Sequence, residues 1–105
     1  AFLPHADPMH AAELVVKDTK RKIADIYIPR DGVDHPAVRA LEQQFINLER
    51  AVGKGDISEI NGKIAAVQDF IVDREKHIRP AVTDHLLKDL DQLKQLMDFA
   101  QFKQE

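Results

Sequence analysis

The chain predicts an all-α fold, an up-down-up-down antiparallel four-helix bundle, on three observations. Four segments repeat apolar residues at alternating spacings of three and four, the pattern of helices that turn one narrow stripe toward a bundle core. Proline, glycine and aspartate stand between those segments where helices start and stop. No segment of useful length alternates apolar and polar residues as a half-buried strand would.

The first helix is expected over about 8–27, with a stripe of Met9, Ala12, Val16, Thr19, Ile23 and Ile26. Asp7 supplies a side-chain cap, and Pro8 a residue whose fixed φ suits the first turn. Pro29 ends the helix at or before Ile28, because the residue preceding a proline is pushed out of the α region. The second helix, about 36–53, carries Val38, Leu41, Phe45, Leu48 and Val52, and Asp34 or His35 before Pro36 repeats the starting device.

After the turn at Gly53 to Gly55, the third helix is expected over about 57–78, with Ile57, Ile60, Ile64, Val67 and Ile71 on its seam. Asp56 with Glu59 has the spacing of a capping box. The fourth helix, about 81–103, starts near Pro80 and runs Val82, Leu86, Leu90, Leu93, Met97 and Ala100. Val15, Phe70, Leu87 and Phe99 beside these seams widen each stripe toward the broader face of a globular bundle. Helices of this length are about 27 to 35 Å long, and short links between matched lengths favour antiparallel neighbours in one domain spanning 1–105.

Composition excludes several function classes. Hydrophobic residues make up 44% and charged residues 31%, with a net charge of −3, so neither disorder nor a nucleic-acid partner is expected. The run Lys17 to Lys22 reads as a solvated helix face. No window is long and apolar enough for a membrane span. The absence of cysteine removes disulfides, thiolate metal sites and cysteine nucleophiles together. The opening "AFLPHADP" suits a mature chain after signal-peptide removal, so export to a periplasm, lumen or extracellular space is the expected localisation.

The topology gathers chemistry at one pole. His35, His77 and His85 all fall there, beside Asp31, Asp34, Asp73 and Asp84, and imidazole with carboxylate suits zinc or copper. No histidine pair has the i, i+4 spacing that stacks two imidazoles on one helical face. A di-iron site needs Glu-x-x-His pairs, and the residues three before His35, His77 and His85 are Gly32, Arg74 and Val82. Ser58 is the only serine and has no histidine near it in sequence, with only His5 and His10 as candidates at its pole, so no enzyme is expected.

In length and layout the chain resembles the small exported b-type haem cytochromes that fold as four-helix bundles. In that family a methionine near the start of the first helix and a histidine near the end of the last ligate the iron. Met9 matches the first in position, whereas the final twenty residues here hold no histidine and Met97 faces that pole. The resemblance is one of architecture, and Met97 reads as core filler; no cofactor is expected.

What remains is an interaction module, an accessory, inhibitor, immunity or extrinsic subunit that binds a protein partner. The residues expected to carry it are Tyr27, Ile28, Arg30, Asp31, Val33 and Asp34, at the longest connection, since tyrosine and arginine are enriched in binding hot spots. Phe2, Leu3, Phe99 and Phe102 form an aromatic pole at the other end, read as a lid on the bundle. The alternative is an exported metal-binding protein using His35, His77 and His85. A homo-oligomer through Leu14, Val15 and Phe70 is a third expectation.

Overall fold

The structure is a computed structural model, and it describes residues 7–29 and 35–104. Four helices pack against one another: α1 (Pro8–Lys22), α2 (His35–Lys54), α3 (Ile57–Asp73) and α4 (Pro80–Gln104). Each packs on two neighbours, α1 on α2 and α4, and α3 on α2 and α4, which is the square of an up-down-up-down bundle.

The expected punctuation acts locally. The Asp7 carboxylate accepts the Met9 N–H at 2.9 Å, with Pro8 in the first turn of α1. At the α2–α3 turn, Gly55 takes φ +75°, the left-handed conformation that glycine adopts without cost, and donates its N–H to the carbonyls of Ala51 and Val52. Only half of the expected capping box forms. Asp56 accepts the Glu59 N–H at 3.2 Å, while the Glu59 carboxylate turns to Lys54 at 3.5 Å.

The seams fill the core. Leu41, Phe45, Leu48, Ile60, Ile64, Ile71, Leu86, Leu90, Leu93 and Met97 are at most 2% exposed. At about 25 cal/mol per Å2 of apolar surface removed from water, this burial is the main favourable term in folding. Phe70 belongs to the core edge, with the Arg74 guanidinium lying 4.1 Å over its ring.

Two elements depart from the expected helices, both at the same pole. The first helix leaves α geometry at Ile23 and widens into a π-turn over Ile23–Tyr27, in which Ile28 N–H reaches back to Ile23 O at 3.1 Å. Pro29 cannot donate to the Asp25 carbonyl and its ring would press on it, and the wider turn removes that conflict. The consequence falls on Ile26, expected on the core seam: it is rotated out and 41% exposed.

The third helix stops at Asp73 rather than near residue 78. Arg74 takes φ −113°, ψ 23°, a 3-10 turn follows over Glu75–His77, and Ile78 is extended and buried. Because α4 begins at Pro80 itself, the residues needed to reverse the chain come from the end of α3. None of the described helices is long and apolar enough to cross a membrane.

Candidate functional site

The pole where α1 ends is held by polar contacts on both flanks of that helix. Thr19 is the only buried polar residue among those described. Its hydroxyl lies 2.8 Å from the Val15 carbonyl and 2.9 Å from Asp89 Oδ2, so its single proton is shared between two acceptors, one of them on α4. On the other flank, Lys20 Nζ meets Glu49 Oε1 of α2 at 2.8 Å.

A charged cluster continues from Thr19 toward the pole. Asp18 pairs with Arg21 at 2.6 Å and with Lys22 at 3.1 Å, and Lys22 also stands 4.0 Å from Asp89. The hydrogen bond from Arg21, followed by that from Lys22, holds the Asp18 carboxyl below the ordinary aspartate range, and the same contacts raise Arg21 and Lys22. These are surface pairs, so they orient side chains more than they stabilise the fold.

Tyr27 completes the cluster. A π-turn carries more residues per turn than an α-helix, and it brings Tyr27 into the field of Lys22, Asp18 and Asp89. Its ring stacks on His85 of α4, with centroids 6.5 Å apart and planes inclined by 23°. Burial raises the Tyr27 phenol above its ordinary value; Lys22 opposes that effect, while Asp89 and Asp18 add to it. His85 and Asp89 stand four residues apart on α4, so one face of that helix supplies both partners of α1.

The residues expected to form the site are distributed as follows. Tyr27 and Ile28 are half-buried beside the exposed Ile26. Arg30, Asp31, Val33 and Asp34 lie outside the described residues, as do Phe2 and Leu3. At the other end, Phe102 is 75% exposed and Phe99 51%.

Of the three histidines, His85 is engaged with Tyr27 in the α1–α4 seam. His77 lines a depression of about 350 Å3 with Ala37, Asp73 and Arg74, between the start of α2 and the end of α3. His35 opens α2, two residues before Ala37, and its side chain lies outside those described. Among the described residues, no three His, Asp or Glu side chains gather into a metal-ligand group. Met9 packs against the core and Met97 is wholly buried in it.

Sequence reasoning placed Thr19 on a seam and missed its partner. The i, i+4 spacing of His85 and Asp89 was a usable signal, since it predicts one shared face. The π-turn had a weaker one, Pro29 close behind an apolar residue that the α period would bury. No family model, curated protein or solved structure matches the chain.

Proposed function

We propose that the chain is a small non-enzymatic helical module that works by binding a protein partner at the pole where α1 ends. The observation that carries this reading is the π-turn, which turns Ile26 outward beside the half-buried Tyr27 and Ile28. An isoleucine displaced from a core register onto the surface, next to an aromatic ring, is the composition of a binding anchor. Wide turns inserted into α-helices also concentrate at functional sites.

The scaffold supports the same reading. Thr19–Asp89 and Lys20–Glu49 fix the helix immediately before the turn, so the anchor is presented with little ordering left to do on binding. In sequence the turn is followed by Arg30, Asp31, Val33 and Asp34, residue types that suit a polar partner surface.

The test is an affinity capture from the native source using the intact protein, with and without a chelator. A discrete partner should be retained in both arms, lost with Ile26→Ser and Tyr27→Ala, and kept with Phe102→Ser at the opposite pole. Equal capture by all variants overturns the assignment.

A further inference from the structure

We propose an oxyanion-binding site, suited to a phosphoryl group, at the opposite pole of the bundle where α2 turns into α3. A shallow depression of about 170 Å3 is lined there by Asn47, Arg50, Ala51, Lys54, Glu59 and Lys63. Three cations face one carboxylate, a local excess of positive charge on a chain whose net charge is −3.

The hydrogen-bonding complement is donor-rich. Gln43 Nε2 donates to Asn47 Oδ1 at 2.9 Å, which occupies the amide oxygen and leaves the Asn47 NH2 as a donor. Arg50 and Lys63 have no ion-pair or hydrogen-bond partner among the described residues, and Glu59, the one acceptor, is occupied by Lys54. The planar guanidinium of Arg50 matches two oxygens of a tetrahedral anion, and Lys63 adds a point charge from the facing helix.

Helix dipoles do not decide the matter. The end of α2 and the start of α3 bring half-charges of opposite sign to the same turn, and Gly55 N–H already occupies the carbonyls of Ala51 and Val52. The side chains therefore set the sign. At about 170 Å3 the depression is smaller than the ~300 Å3 at which small-molecule pockets begin, and it matches a phosphoryl group with the rest of its carrier outside. This site is independent of the partner surface at the other pole.

The experiment is an amide chemical-shift titration with inorganic phosphate and, separately, with a phosphoserine peptide, at ionic strength held constant with sodium chloride. Saturable shifts are expected at Arg50, Lys54 and Lys63. Each exposed cation contributes up to about fivefold in affinity, so Arg50→Gln with Lys63→Gln should weaken binding by up to about twenty-five-fold. Glu59→Gln removes the only competing carboxylate and should tighten binding about two- to fivefold. Lys17→Gln, an exposed cation on α1, should change nothing. Tighter binding of the peptide than of free phosphate identifies a phosphorylated protein as the source, and equal binding identifies the free ion. Shifts that follow ionic strength alone, or that survive the double substitution and ignore Glu59→Gln, overturn the site.

Discussion

Thr19 Oγ1 lies 2.9 Å from Asp89 Oδ2, a hydrogen bond between α1 and α4 that spans 70 positions of sequence. It is the polar contact that a buried hydroxyl requires, and it fixes the register of the two helices just below the candidate pole. Thr19→Val removes the hydroxyl and adds a buried methyl. A hydrogen bond to a charged group contributes about 1.5–3 kcal/mol and the methyl returns about 0.8, leaving a loss of about 0.7–2.2 kcal/mol. Adding Asp89→Leu should recover at least half of that loss, because both polar partners are then gone. Urea unfolding of the two single variants and the double variant measures the coupling, and strict additivity would contradict the contact.

Tyr27 is the only tyrosine and the chain has no tryptophan, so tyrosinate absorbance reports on one group. Its folded pKa lies above the ordinary 10.0, chiefly through burial. The stability linked to this shift is fully present below pH 10.0 and is lost as pH rises through the folded value. The absorbance midpoint should fall toward 10.0 in denaturant, and Tyr27→Phe should flatten the decline in melting temperature above pH 10.

Asp18 gives the opposite limb. Its folded pKa lies below the ordinary 3.8, so its contribution is present above 3.8 and is lost as pH falls through the lower folded value. The pair with Arg21 is exposed and the effect is correspondingly small. Asp18→Asn should soften acid unfolding below pH 3.8 and, by removing the main cause of the Lys22 rise, leave stability near pH 10 linked chiefly to the burial of Tyr27.

The glycines should behave in opposite ways. Gly55→Ala forces a side chain into φ +75° and should cost about 1 kcal/mol. Gly53 and Gly62 sit inside α2 and α3 with open space where a Cβ would go, so alanine at either should stabilise by up to about 1 kcal/mol. Thermal melts of the three variants rank them directly.

Most of the fold was legible because each seam is a local pattern. Phe45, Ile64 and Leu90 are buried where a spacing of three and four puts them. Ile26 was misplaced because one π-turn breaks the period that the pattern assumes. The end of α3 was misplaced because Pro80 stops a helix without saying how many preceding residues the chain reversal consumes. The site was less legible, since its contacts join distant segments: nothing local to Tyr27 names His85 as its neighbour. The common pole of His77 and His85 followed from topology, but their separate seams follow from side-chain direction.

That separation bears on zinc and copper. His85 faces Tyr27, and His77 lines the depression beside α2. Zinc or copper should leave the melting temperature unchanged, since only an ion that binds the native state raises it. A rise abolished by both His77→Ala and His85→Ala would favour a metal site at this pole.

The most direct measurement of the central claim is site-specific photo-crosslinking of the intact protein in its native source. One crosslinker stands at Ile26 on the π-turn and a second at Leu14, an exposed apolar residue elsewhere on α1. One discrete adduct is expected from position 26, competed by untagged wild-type protein, and none from position 14. Identical adducts from both positions, or none from position 26, would contradict it.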